Sequence, residues 1–109
     1  MDKISICVVG VGNWGLNHVK TLLSLNISVG CVDTELEKLN KIQSLLPQVS
    51  CFSSIEESLS IDFNGYVIST PAATHAKLAK LIISNKKPVL VEKPLSLSVN
   101  ESNEIKSYL

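Results

Sequence analysis

The sequence contains no arginine. Its ten basic residues are all lysine, scattered along the chain and balanced by ten acidic residues for a formal net charge of +0. With no basic patch there is no electrostatic footprint for nucleic acid or an anionic membrane surface, and neither is expected as a partner. Long apolar runs are missing too: nothing approaches the roughly 20 residues of a membrane-spanning helix. Met1-Asp2-Lys3 passes directly into an apolar strand pattern without the layout of a secretory signal, so a cytoplasmic protein is expected. Cysteine is sparse. Cys7, Cys31 and Cys51 fall within predicted strands and lack the paired spacing of a metal site or redox motif. Each is expected to be a small buried hydrophobe, and no metal is expected.

What remains is 45% hydrophobic and 18% charged over 109 residues. That suits one globular domain, able to bury roughly two thirds of its unfolded surface. Glycine is scarce, yet three of the five glycines fall within Gly10-Val11-Gly12-Asn13-Trp14-Gly15. Ahead of them Ile4, Ile6, Cys7, Val8 and Val9 read as a strand apolar on both faces, as a buried parallel strand is. Behind them Trp14, Leu16, Val19, Leu22 and Leu23 recur at helical spacing. The glycines therefore mark a strand-to-helix turn. In such a turn Gly10 permits the tight reversal, Gly12 lets backbone approach a pyrophosphate, and Gly15 lets the helix pack on its strand. The positive helix N-terminus would hold the phosphates. Taken alone, the same glycines are also compatible with a mere connecting turn.

Asp33 adds an independent sign. It lies 18 residues after Gly15, at the end of a second strand, Ile27 to Val32, near the roughly 20-residue offset of an acid that grips a ribose 2'-hydroxyl. A carboxylate there repels a 2'-phosphate, and Glu35 would add to the repulsion. With no arginine available to accept that phosphate, the expected cofactor is NAD rather than NADP. Asp33 could also cap the helix that starts near Glu35, and both roles could hold, but the glycines upstream favour the cofactor role.

Further along, Glu35 to Leu46 reads as a helix with Leu36, Leu39, Ile42 and Leu46 on one face, stopped by Pro47. Val49 to Phe52 reads as a third strand, and Ser53 to Glu57 as the capped start of a brief helix ending near Leu59. Gly65 to Ser69 reads as a fourth strand, Ala73 to Asn85 as a helix, Pro88 to Glu92 as a fifth strand and Ser98 to Leu109 as a helix. Such alternation predicts an α/β, Rossmann-type doubly wound parallel sheet with strand order 3-2-1-4-5. That order opens the loops after Val9, Ser69 and Val91 onto one crevice, bringing Gly12, Thr70 and Lys93 together.

Together, the glycine turn, Asp33, Thr70-Pro71-Ala72-Ala73-Thr74-His75 and Glu92-Lys93-Pro94-Leu95 resemble the N-terminal cofactor domain of the glucose-fructose oxidoreductase, inositol dehydrogenase and rhizopine catabolism (Gfo/Idh/MocA) family. The resemblance spans nearly the whole chain. It implies a single NAD(P)-binding domain, 1-109, forming the N-terminal part of a longer enzyme whose α+β substrate domain is absent here. It also implies hydride transfer between nicotinamide and a secondary alcohol of a sugar, polyol or nucleotide sugar. The implied cofactor contacts are Gly10, Gly12, Asn13, Trp14, Gly15, Asp33, Thr70, Pro71, His75 and Glu92, with Trp14 covering the turn by packing. Thr70, Pro71 and Glu92 would stand near the nicotinamide end. His75 either borders that loop or is a satisfied histidine at a helix start. Lys93 would be catalytic, an ammonium beside the reacting hydroxyl that favours a developing alkoxide.

Without the substrate domain the chain is expected to bind NAD with little or no turnover, and its uncovered apolar surface would favour a homo-oligomer. Other readings stay open. A non-catalytic NAD-binding or interaction module would keep the fold without the chemistry. A methyltransferase would also set adenosine beside a glycine turn and an acid, but it has no use for Glu92-Lys93-Pro94.

Overall fold

The structure, a computed structural model, describes residues 4–91 and Lys106. Five parallel strands form one sheet: β1 (Ser5–Val9), β2 (Ser28–Val32), β3 (Ser50–Phe52), β4 (Gly65–Ile68) and β5 (Val89–Val91), in the order β3-β2-β1-β4-β5. The expected topology is the observed one. Four helices connect the strands: α1 (Asn13–Ser24), α2 (Leu36–Leu45), α3 (Ile55–Ser58) and α4 (His75–Ser84).

Strand side chains alternate between faces, so the apolar runs feed two cores. Cys7, Val9, Tyr66 and Ile68 join Ile55 of α3 and Ala76, Ala79 and Ile82 of α4. Val8, Val29, Cys31 and Val67 join Val19 of α1 and Leu39 and Ile42 of α2. A fully buried Val or Ile contributes roughly 1.5–3 kcal/mol, so apolarity on both faces is what makes β1 and β4 central.

The helix faces are narrower than the sequence pattern suggests. Leu36 is exposed, whereas Leu39 and Ile42 are buried. At 3.6 residues per turn Leu36 sits about 120° from Ile42 around the axis, which rotates it off the sheet. Cys7 and Cys31 are buried as expected, but Cys51 is only partly so because β3 is the sheet edge. α3 continues as a 3-10 turn, Leu59–Ile61, which Asp62 ends in the left-handed conformation at φ 60°. A second 3-10 turn, Ala72–Thr74, precedes α4 and displaces its expected start from Ala73 to His75. Of the predicted last helix only Lys106 is described, exposed and helical. The rest of that helix, with Glu92 and Lys93, lies outside the described residues.

α1 and α4 end alike. Ile27 N–H donates to Leu22 O and Asn26 N–H to Leu23 O; Lys87 N–H donates to Ile82 O and Lys86 N–H to Ile83 O. These are paired Schellman closures, with Asn26 and Lys86 both at φ 62° where glycine is usual.

Candidate functional site

A cleft of about 990 Å3 opens at the carboxyl ends of β1, β2 and β4, lined in part by Gly10, Gly12, Asn13, Trp14, Asp33, Ser69, Thr70 and Pro71. Its size is that of a cofactor site. The three glycines of the turn differ in what the chain requires of them. Gly10 has φ +92°, and a Cβ there would stand 2.7 Å from Thr70 Cγ2. At Gly15 a Cβ would lie 1.8 Å from Gly10 O, so α1 can rest on its turn only without one.

Gly12 is unlike either. Its φ is −69°, accessible to any residue, and a Cβ there would meet nothing within 4 Å. The chain itself has no need of glycine at this point. The space a side chain would fill lies in the cleft at the start of α1, whose N-cap makes no side-chain hydrogen bond and whose first turn holds no acid. A phosphate brought against this backbone meets the positive end of a helix that carries no acid in its first turn.

Asp33 ties the turn to β2 and α2. Its Oδ2 accepts the Val11 N–H at 3.0 Å and its Oδ1 accepts the Glu35 N–H at 2.8 Å. Its own N–H donates to Phe52 O at 3.2 Å, and Gly10 N–H donates to Val32 O at 2.7 Å. Asp33 is not the cap it was expected to be: the N-cap of α2 is Glu35, which makes no side-chain cap bond, and Asp33 holds the Glu35 N–H from two residues upstream. An ionised carboxylate offers about four acceptor sites, so two bonds fix its orientation and leave lone pairs for ribose hydroxyls.

Thr70 and Pro71 form the cleft's other side, held by α4. His75 is 1% exposed, and its Nε2 donates to Thr70 O at 2.7 Å. His75 thus lies beneath the loop as the satisfied helix-start histidine and outside the cleft lining. Trp14 departs from expectation more clearly. It is 71% exposed on the cleft rim rather than packed over the turn, one residue before the buried Gly15 on which α1 packs. Asn13 is likewise exposed and lines the cleft.

Sequence reasoning missed one wall of the cleft. Leu78 and Leu81 of α4, with Ser53, Ser54 and Ile55, supply a partly apolar wall to the same cleft. Their apolar spacing was legible as core, but nothing local marks them as cleft-facing. Gly30 was also missed: a Cβ there would lie 2.3 Å from Phe63 Cζ. The Phe63 ring covers β2 and meets Phe52 and Tyr66 edge-on at centroid distances of 6.1 and 6.0 Å. No group of acids, histidines and cysteines among the described residues could hold a metal ion. Burial pushes the Cys7 thiol up to about 12 and raises Cys31 as well.

The profile of the oxidoreductase family with an NAD-binding Rossmann fold, GFO_IDH_MocA, matches residues 4–109. The chain belongs to that family. An inositol 2-dehydrogenase of Mycolicibacterium gilvum is 31% identical over 109 residues, covering 96% of this chain and 31% of the relative. One from Rhodococcus jostii is 31% identical over 108 residues, covering 95% of this chain and 30% of the relative. Among solved structures, GenD2 from gentamicin A biosynthesis, in complex with NAD, is 27% identical with a TM-score of 0.86, covering 99% of this chain and 32% of that one. The WlbA dehydrogenase from Bordetella pertussis, in complex with NADH and UDP-GlcNAcA, has a TM-score of 0.90 at 21% identity, covering 99% of this chain and 33% of that one. That second likeness speaks for the fold alone. This Rossmann domain spans about a third of the length of these relatives. NAD is its cofactor, and the open space at Gly12, the uncapped α1 and the oriented Asp33 carboxylate fit one.

Proposed function

We propose that the chain is the N-terminal, cofactor-holding part of a longer cytoplasmic dehydrogenase, and that NAD lies across the cleft. Gly10, Gly12 and the start of α1, with Asn13 and Trp14 beside them, would hold the pyrophosphate. Asp33 accepts the adenine-side ribose hydroxyls and repels a 2'-phosphate. Thr70 and Pro71, held by His75, border the nicotinamide end together with Glu92. When bound, the cofactor supplies the hydride acceptor or donor. Lys93 acts on the substrate hydroxyl, its ammonium favouring the alkoxide as the proton is lost. The substrate is a secondary alcohol of a sugar, polyol or nucleotide sugar, a reading supported by relatives that are inositol 2-dehydrogenases. The chain alone binds NAD with little or no turnover, because it spans about a third of those relatives.

The observation that carries the cofactor placement is Gly12, a glycine whose backbone and surroundings do not require one. Gly12→Ala is therefore expected to leave thermal stability within about 1 kcal/mol of the parent, while NAD affinity in calorimetric titration falls at least tenfold. Gly15→Ala is expected to cost stability instead, at least the roughly 3 kcal/mol at the upper end of overpacking. A Gly12→Ala chain that binds NAD as tightly as the parent would remove the phosphate from this turn.

A further inference from the structure

The loop between β4 and α4 carries a chain of hydroxyl contacts whose proton positions are fixed by elimination. Thr74 Oγ1 lies 2.7 Å from Pro71 O, and Thr70 Oγ1 lies 2.6 Å from Thr74 Oγ1. A carbonyl oxygen only accepts, so the single Thr74 hydroxyl proton points at Pro71 O. Were it turned to Thr70 instead, two oxygens would face each other at 2.7 Å without a proton between them. The proton between the two threonines must then come from Thr70. His75 Nε2–H closes the loop from below on Thr70 O, and Thr70 Cγ2 is packed against Gly10, so the Thr70 side chain is held in this rotamer.

The consequence concerns specificity. Thr70 and Thr74 both line the cleft. With its proton committed to Thr74, the Thr70 hydroxyl presents only lone pairs to whatever the cleft holds. We infer that Thr74 sets Thr70 as an obligate hydrogen-bond acceptor, selecting a donor group of the dinucleotide at this point and rejecting an anionic or acceptor group. Two groups at the nicotinamide end share that donor chemistry, the ribose hydroxyls and the carboxamide N–H. Thr74 acts through Thr70 and is a positioning residue. The inference rests on the proposed placement of NAD in this cleft.

The test is calorimetric titration of the full chain with NAD, with the dinucleotide bearing a carboxylate in place of the carboxamide, and with the dinucleotide lacking the hydroxyls of the nicotinamide-side ribose. Thr70→Val is expected to weaken NAD roughly three- to tenfold. It should leave unchanged the affinity for whichever analogue lacks Thr70's partner, which identifies that partner. Thr74→Val frees the Thr70 proton to turn into the cleft, so the preference for NAD over that analogue drops roughly threefold or more, while Thr74→Ser retains it. Thr74→Ala removes the same hydroxyl and serves as the second variant if Thr74→Val does not fold. Equal NAD affinity in Thr70→Val and parent, or an undiminished preference without the Thr74 hydroxyl, overturns the inference while NAD binding by the parent keeps the cofactor placement. A parent that binds no NAD overturns both.

Discussion

At the scale of the residue, identical side chains serve unlike ends. Gly10 is held by its backbone angle, Gly15 by a carbonyl, Gly30 by an aromatic ring, and Gly12 by nothing in the chain itself. Gly30 tests the structural side of that division. Its missing Cβ is what lets Phe63 lie on β2, so Gly30→Ala is expected to cost about 1–3 kcal/mol through overpacking, read as a lowered midpoint in denaturant unfolding. Unlike Gly12→Ala it should spare NAD affinity in whatever fraction remains folded. The cysteines divide by burial in the same way. Cys7 is buried with its thiol pushed up to about 12, whereas Cys51 sits partly open on the edge strand. The thiolate is the reactive species, so a thiol reagent at mildly alkaline pH is expected to label Cys51 in the folded chain and to reach Cys7 and Cys31 only after unfolding. Peptide mass analysis reads this directly, and rapid labelling of Cys7 in the native chain would contradict the packing of β1. The glycine turn and Asp33 were legible in the sequence because their spacing is local. What was not legible is what each Cα meets, the Gly10 carbonyl at Gly15 and open space at Gly12.

At the scale of the element, strands and helices follow their apolar periods closely, and the departures lie at their ends. α1 and α4 close through the same pair of backbone bonds, with Asn26 and Lys86 left-handed. A sequence reader looks for glycine there and finds none. Lysine is a poor occupant of that conformation, which costs an L-residue roughly 1–2 kcal/mol. Lys86→Gly is therefore expected to stabilise the chain by about 1 kcal/mol, or roughly 4–8 °C in Tm for a domain of this size. A lowered Tm would mean that the Lys86 side chain contributes more than its backbone costs. The start of α4 was also misread by two residues: Thr74 donates to Pro71 O from its hydroxyl and its N–H, tightening the chain into a 3-10 turn first. A side chain competing for a backbone carbonyl is invisible to periodicity.

At the scale of the molecule, the sheet order gathers the ends of β1, β2 and β4 at one edge, and the family's cofactor lies where those ends meet. Binding and turnover then separate. The purified chain is expected to bind NAD yet to show no steady-state oxidation across a panel of inositols and sugars, followed by NADH absorbance. Turnover comparable to that of a full-length dehydrogenase would contradict the proposed need for a substrate domain. Supplying that domain by fusion is expected to bring activity that Lys93→Met abolishes without loss of NAD affinity.

The sequence by itself determined the alternation of strands and helices, the sheet order and the glycine turn between β1 and α1. Those features follow from short-range patterns: apolarity on both faces of a strand, glycines at a strand-to-helix turn, an acid at a strand end. Only the tertiary structure decided that Trp14 stands open on the cleft rim, that Leu78 and Leu81 wall the same cleft, that Phe63 needs Gly30, and which way the Thr70 hydroxyl faces. Each of these depends on what a side chain meets across the fold: Phe63 touches β2 from a distant part of the chain, and Thr70 is fixed by α4 beneath it and Gly10 beside it. Local pattern carries no record of such meetings, because they exist only once the sheet has brought the segments together.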